Sequence, residues 1–165
     1  NGLDFSSNSG ILGMFYFRVF KYRNKFYALA KNKNTDGILY ESEDGVSNFK
    51  PLFNLIPSIR HSSVIVNGDY LYIFYTCVGD APESIMVCKI KLSENTDDWD
   101  VVDGGLILTP ERDYEGANLP IVPSAFGTSF GKVNEVRDPY VFQENGETYL
   151  FYSVSGESGI AVSKL

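Results

Sequence analysis

Apolar residues recur in short runs and at alternating positions along three stretches of the chain, and each stretch repeats one order of elements. An apolar strand leads through a tight polar turn to an aromatic-rich strand, then through an acidic loop to a further apolar strand. No stretch keeps an apolar period of 3.6 residues, so the pattern predicts helix in less than about one-tenth of the chain. The sequence therefore predicts an all-β fold.

The last copy of the pattern, over 138–165, is the clearest. Its first two strands, at 140–142 and 149–152, flank a turn that contains Asn145-Gly146, and its third strand lies at 160–162. An Asn-Gly pair between apolar runs is the strongest short-range signal for a β-hairpin.

Two earlier copies show the same order of strands, which we place at 64–66, 71–75 and 85–87 and at 17–20, 26–29 and 38–40. When the hairpins are superimposed without gaps, Tyr16, His61 and Asp138 fall at the same place, just before the first strand. Tyr16 and His61 are 45 residues apart, and a propeller blade typically occupies roughly 40–50 residues. The repeat therefore predicts a β-propeller-like fold.

We expect a single domain over 1–165 with three four-stranded antiparallel blades, at about 14–55, 56–110 and 134–165, and a long loop at 103–136. Fourth strands give weaker signals, which lie at 49–53 for the first blade and at 101–102 or 106–108 for the second. The third blade ends after its third strand, and residues 10–12 are the candidate for its missing edge. Among the second-strand side chains, alternate members of the set Phe26, Leu71, Ile73, Tyr149 and Phe151 are expected in the core between blades.

The composition argues against several classes of partner. The chain carries 14 Lys and Arg residues against 21 Asp and Glu, a formal charge of −7, which disfavours nucleic acid and anionic membranes. No apolar run approaches the roughly 20 residues that cross a bilayer, so we expect a soluble chain, with the cytoplasm slightly favoured. Cys77 and Cys88 are expected as buried thiols, with a bridge across one hairpin as the alternative. A single histidine excludes a His-rich zinc site, and no metal ligands are predicted.

Hairpin geometry predicts which polar residues meet, because the start of the first strand lies beside the end of the second. If the blades fan about an axis, the three resulting clusters share one end of the channel. The expected clusters are Arg137 and Asp138 facing Glu157, Arg60 and His61 facing Asp80 and Glu83, and Tyr16 and Arg18 facing Asn34 and Asp36.

Carboxylates, arginines and aromatic rings at a propeller mouth suit a carbohydrate ligand. Glycoside hydrolysis needs one carboxylic acid to protonate the leaving oxygen and one carboxylate as base or nucleophile. We expect Asp138 to be ionised and held by Arg137 or Arg60, with Glu83 and Glu157 as candidates for proton transfer. The structural alternatives are a strand-entry cap for Asp138, solvated loop charges for the two glutamates and a hydrogen-bonded structural role for His61.

The sequence Val-Arg-Asp-Pro-Tyr-Val-Phe at 136–142, followed by the Asn-Gly turn and Tyr-Leu-Phe-Tyr-Ser, resembles the five-bladed propeller glycoside hydrolases of family 43 and of families 32, 68 and 130. Gly-Glu-Ser-Gly-Ile-Ala at 156–161 and the stretch 60–87 resemble the same families, and the resemblance covers about 14–165. It implies hydrolysis of a glycosidic bond by carboxylates at the central funnel.

The resemblance also implies roles for single residues. Asp138 would orient sugar hydroxyls and stabilise the oxocarbenium-like transition state, and Glu83 would be the general acid. His61 would help to hold a divalent cation or a water molecule, and no other cofactor is implied.

The chain departs from these families in length, because five blades need more than about 200 residues and this chain holds about three. It is either a part of a longer enzyme or a short protein that completes its ring by association, and we expect a homo-oligomer that pairs the open faces. No upstream blade carries a second Asp-Pro pair for the usual N-terminal catalytic aspartate. A glycoside hydrolase-like protein, a non-catalytic carbohydrate-binding module and a protein-interaction platform remain as alternatives.

Overall fold

The structure is a computed structural model that describes residues 3–6 and 10–165. Its strands form three antiparallel sheets of four, four and three strands, each in chain order. The first sheet contains β1 (Phe15–Tyr22), β2 (Lys25–Lys31), β3 (Gly37–Ser42) and β4 (Lys50–Leu55). The second contains β5 (Ile59–Asn67), β6 (Tyr70–Cys77), β7 (Ile85–Lys91) and β8 (Val101–Leu108), and the third contains β9 (Val136–Glu144), β10 (Glu147–Val154) and β11 (Gly159–Lys164).

Helix in the described residues amounts to two 3₁₀ turns of three residues each, Thr96–Asp98 and Asp113–Glu115. The predicted all-β, propeller-like fold is therefore confirmed. No helix in the described ranges is long and apolar enough to cross a membrane.

Each sheet begins with a hairpin closed by a two-residue turn, as the sequence predicts. In the third hairpin, Asn145 and Gly146 both have positive φ, at 52° and 81°. A type I′ turn requires this conformation at both central positions, and its twist matches that of the flanking strands.

The first strand of every hairpin is irregular near its start, where two residues lie opposite one on the partner strand. The first residue of each irregularity is Tyr16 in β1, Arg60 in β5 and Asp138 in β9. Tyr16 and Asp138 have positive φ, at 54° and 49°. Between its irregularity and its turn, β5 has one residue more than β1 and β9 have. The structural counterpart of Tyr16 and Asp138 is therefore Arg60, and His61 lies one position after it. Such bulges re-aim side chains and recur beside functional sites.

Two apolar clusters pack the three sheets against each other, one on each face of the second sheet. Leu71 and Ile73 face the first sheet, and Phe74 and Ile85 face the third. The prediction for Leu71 and Ile73 is correct, since both are fully buried. The prediction for Phe151 is wrong, because successive side chains of a strand point to opposite faces and the packed face of β10 carries Leu150 instead.

Within residues 3–6 and 10–165 the third sheet has three strands, and residues 10–12 do not form a strand on it. Gly13 packs against the first sheet instead, where an added Cβ atom would come within 2.4 Å of the Phe17 ring and 3.2 Å of the Tyr40 ring. The prediction of a closing strand from 10–12 is therefore wrong. β8 covers both candidate fourth strands of the second blade, so the long loop begins at Thr109 rather than at Asp103.

Cys77 and Cys88 lie on the neighbouring strands β6 and β7, and no disulfide bond joins them. Cys88 is buried and Cys77 is partly exposed. The two are not opposite each other, since Cys88 pairs with Ile73 in the ladder.

Candidate functional site

A cleft of about 620 Å³ opens at the end of the blades where the first strands begin. Three aromatic rings line it, those of Phe15, Tyr16 and Phe126. Phe126 belongs to the long loop at 109–135, which therefore reaches the mouth of the blades. The other lining residues are Lys31, Asn34, Arg60, His61, Gly127, Thr128 and Glu157.

His61 joins two blades at the floor of this cleft. Its Nε2 atom lies 3.2 Å from Oδ1 of Asp138, and its ring meets Tyr16 edge to face with centroids 5.1 Å apart. Burial, together with the nearby Arg60 and Arg137, lowers the pKa of His61 to about 3. The imidazole is therefore neutral at physiological pH, and the nearby carboxylate favours the tautomer that carries its proton on Nε2. Its Nδ1 atom is buried and has no hydrogen-bond partner among the described residues.

Beneath the cleft lies a buried ion cluster centred on Glu83, which is fully buried. Nη1 of Arg60 donates to Oε2 of Glu83 at 2.9 Å, and Nε of Arg137 lies 3.6 Å from the same oxygen. Burial raises the pKa of Glu83, and the two arginines oppose that rise. Removing one partner from such a cluster leaves an uncompensated buried charge.

Arg137 is shared among further carboxylates. Its Nε and Nη2 atoms contact Glu135, and its Nη1 atom lies 3.3 Å from Oε1 of Glu157. Both arginines are thus occupied by glutamates. The expectation that Arg137 or Arg60 holds Asp138 is wrong, and His61 takes that place.

Hydrogen bonds tie the long loop to the mouth of the second blade. Nη2 of Arg60 donates to the carbonyl of Gly127. The backbone amide of Ser124 donates to the carbonyl of Asp80 at 3.0 Å, and the amide of Gly79 donates to the Ser124 hydroxyl at 3.0 Å. The loop is an ordered wall of the cleft, and Asp80 anchors it through its backbone.

Glu115 anchors the other end of this loop. One carboxylate oxygen accepts from the backbone amides of Glu111 and Arg112, and the other accepts from the Tyr152 hydroxyl at 2.8 Å. The loop is therefore attached to the third blade as well as to the second.

Comparison with known proteins supports the fold and leaves the activity open. No family model matches the chain. An uncharacterised protein of Acanthamoeba polyphaga mimivirus is 36% identical over 186 residues, which cover 100% of this chain and 50% of that protein. The chain thus spans about half the length of the curated relative it matches.

Solved glycoside hydrolases share the arrangement of the sheets. The Bacillus subtilis arabinanase has a TM-score of 0.58 at 14% identity, over 92% of this chain and 51% of its own. A thermostable family-43 glycoside hydrolase has a TM-score of 0.62 at 15% identity, over 94% and 49%. The chain has the fold of about half of a five-bladed family-43 propeller. The resemblance seen in the sequence is therefore confirmed at the level of the fold.

Within this half-propeller fold, nine of the eleven residues in the predicted clusters, those proposed for catalysis or sugar binding, fall into three groups. Those that line the cleft are Tyr16, Arg60, His61 and Glu157. Asp138 and Arg137 do not line the cleft, but each contacts a residue that does: Asp138 contacts His61, and Arg137 contacts Glu157. Glu83, Asp80 and Arg18 do not line it, and Nε of Arg18 instead donates to the carbonyl of Ser62 at 2.7 Å, which ties β1 to β5.

Sequence reasoning missed Lys31, Glu135 and Phe126. Glu135 precedes Arg137 by two residues, a spacing that puts both side chains on one face of a strand. The sequence alone could therefore have predicted this ion pair. Lys31 ends β2 at the same rim as the predicted clusters. Phe126 had no local signal, because the path of the long loop decides its place.

No group of three or more His, Cys, Asp or Glu side chains in the described part of the chain is arranged to hold a metal ion. The buried Nδ1 atom of His61 is a single nitrogen ligand. A water molecule or a ligand hydroxyl satisfies it as well as a cation does.

Proposed function

We propose that the chain is a glycoside hydrolase-like protein that binds an oligo- or polysaccharide in the mouth cleft. The observation that carries this proposal is the joint presence of exposed aromatic rings and hydrogen-bonding side chains in one cavity of about 620 Å³. Ligand sites are typically cavities of about 300–1,000 Å³ with a few polar groups that fix orientation. Aromatic faces suit the apolar faces of sugar rings.

The likeness to solved hydrolases agrees with this proposal. The exo-β-1,3-galactanase of Phanerochaete chrysosporium, with a TM-score of 0.62 at 15% identity over 94% of this chain and 36% of its own, was solved with β-1,3-galactotriose. At this identity the likeness concerns the fold, so the carbohydrate is assigned to this chain on the strength of the cleft.

The polar residues would have different roles in binding the sugar. Asp138 lies beside the cleft, against the neutral His61, and its side chain is 39% exposed, so it accepts hydrogen bonds from sugar hydroxyls that extend past His61. Asn34 donates to ring and hydroxyl oxygens, and Tyr16 supplies a stacking surface.

Hydrolysis is a second candidate function, favoured by the partly exposed carboxylates Asp138 and Glu157 at one mouth, with side chains 39% and 33% exposed. Glu157 lines the cleft and would transfer the proton. Glu83 has the raised pKa that a general acid needs, but it does not line the cleft and two arginines surround it. Glu157 is therefore the better placed of the two glutamates.

Titration of neutral arabino- and galacto-oligosaccharides, followed by calorimetry and by NMR, tests the proposal. Tyr16→Ala should weaken binding by about 2- to 10-fold, since an aromatic contact contributes about 0.5–1.5 kcal/mol. Tyr70→Ala, an exposed tyrosine at the turn end of β6, is the matched control and should bind as the unmodified protein does. The absence of any sugar binding would remove the proposal, and release of reducing sugar that depends on Glu157 would favour hydrolysis over binding alone.

We also propose that the third sheet pairs with that of a second copy. Its outer face is apolar and exposed, formed by Tyr140, Phe142, Phe151, Ile160 and Val162. The corresponding face of the first sheet is partly covered, since Ala28, Ala30 and Tyr40 are buried there. Large exposed apolar patches are rare on monomers, and a two-fold dimer joins the same surface of both copies.

Sedimentation of the unmodified chain and of Phe151→Lys tests this pairing. A dimer of the 18.4 kDa chain that dissociates in the variant is the expected result. A stable monomer at micromolar concentration would contradict it. A dimer that the variant leaves intact would place the interface elsewhere.

A further inference from the structure

Lys31 is a cation buried at the floor of the mouth cleft. It ends β2, is 8% exposed and lines the cleft together with Arg60 and His61. Its ammonium lies 5.4 Å from the centroid of the Phe126 ring. Within residues 3–6 and 10–165, Lys31 forms no ion pair with a carboxylate.

A buried lysine normally has a charged partner, because removing an ammonium from water without one is costly. The nearby carboxylates are already engaged, Glu83 with Arg60 and Glu157 with Arg137. Burial, and then the charge of Arg60, lower the pKa of Lys31, with a smaller opposing effect of Glu83. The cleft therefore lacks a negative charge at this point.

The rest of the cleft favours a sugar over a simple anion. Phe15 and Tyr16 expose ring surface to it, and Nδ1 of the neutral His61 is a buried acceptor without a described partner. A ligand that suits all of these groups has an apolar ring face, a hydroxyl that donates to the imidazole and an anionic substituent that reaches Lys31.

We propose that the cleft selects an acidic sugar, whose carboxylate or sulfate group forms an ion pair with Lys31. This inference rests on the proposed sugar-binding function and adds the class of ligand to it. The net charge of −7 opposes the approach of any anion, so the selectivity must come from the short-range contact with this one ammonium.

Matched pairs of sugars test the proposal. The probes are α-1,4-linked digalacturonate against α-1,4-linked galactobiose, glucuronate against glucose, and galactose 6-sulfate against galactose, each titrated by calorimetry. We expect at least one acidic member to bind about tenfold or more tightly than its neutral partner, as charge-assisted hydrogen bonds allow. The uronate and sulfate arms show which anionic group is recognised.

Lys31→Met removes the charge and keeps an unbranched apolar chain, so it should abolish the preference for the acidic member of each pair. Lys91→Met makes the same change of net charge at an exposed position at the turn end of β7 and should keep the preference. Without ligand, Lys31→Met should melt at the same temperature as the unmodified protein or higher, because an unpaired buried cation is lost.

The outcomes separate the two proposals. Equal binding of acidic and neutral sugars overturns the selectivity and leaves the sugar-binding function standing. A lower melting temperature of unliganded Lys31→Met also overturns it, because Lys31 would then stabilise the empty fold. Absence of binding by every sugar overturns the proposed function and the inference with it.

Discussion

Nε2 of His61 lies 3.2 Å from Oδ1 of Asp138, and this contact joins the second blade to the third. The imidazole is neutral because burial lowers the pKa of His61 to about 3. The carboxylate is partly exposed. A buried neutral group thus fixes an exposed carboxylate at the mouth of the cleft.

The depressed pKa of His61 gives the stability a pH dependence. In the unfolded chain the imidazole takes up a proton below about pH 6.5, whereas the folded protein resists protonation down to about pH 3. The unfolded state binds more protons within this window, so stability falls as the pH falls from about 6.5 to 3, by up to about 1.4 kcal/mol per pH unit. His61 is the single histidine of the chain, so its ¹⁵N signals report its protonation without ambiguity.

We expect the imidazole signals to stay neutral down to about pH 4. In His61→Gln, urea unfolding should show a shallower loss of stability with acid than in the unmodified protein. A midpoint near pH 6.5 in the NMR titration would contradict the buried neutral imidazole.

Asp138→Asn should separate binding from stability. The backbone at Asp138 has φ of 49°, a conformation that asparagine adopts readily, and the amide oxygen can still accept from His61. The melting temperature should therefore change little, while sugar binding should weaken about tenfold through loss of a charged acceptor. Calorimetry and thermal unfolding measure both. A large loss of stability with unchanged sugar affinity would make Asp138 a structural residue.

Glu83→Ala should be strongly destabilising because it leaves Arg60 buried without its partner. The expected loss in free energy of unfolding is about 3–5 kcal/mol, measured by urea denaturation. Glu94→Ala, which removes the exposed ion pair with Arg23, is the control and should leave stability unchanged. If Glu83→Ala changed the free energy of unfolding only slightly and abolished turnover, Glu83 would be the general acid.

Leu150 and Phe151 are neighbours on β10 that point in opposite directions, one fully buried and one 37% exposed. Leu150→Ala should cost about 2–5 kcal/mol through the cavity it leaves between the second and third sheets. Phe151→Ala should cost much less in the monomer, since its ring lies on the outer face. Denaturation at low protein concentration measures both losses, and equal losses would contradict the observed facing of β10.

Some of the structure could be predicted because its causes are local in the sequence. Three hairpins could be predicted from the alternation of apolar and polar residues, the Asn145-Gly146 turn and the length of the repeat. Antiparallel pairing then brings the start of one strand to the end of the next, so the contacts of Arg60 with Glu83 and of Arg137 with Glu157 followed from the repeat.

Other features depend on contacts between distant parts of the chain, and only the tertiary structure decided them. The facing of Leu150 and Phe151 depends on which side of β10 meets the second sheet. The partner of Asp138 depends on how two blades are set against each other, since both arginines are held by buried glutamates. The place of Phe126 depends on the path of the loop at 109–135, which brings its ring centroid to 5.4 Å from the ammonium of Lys31.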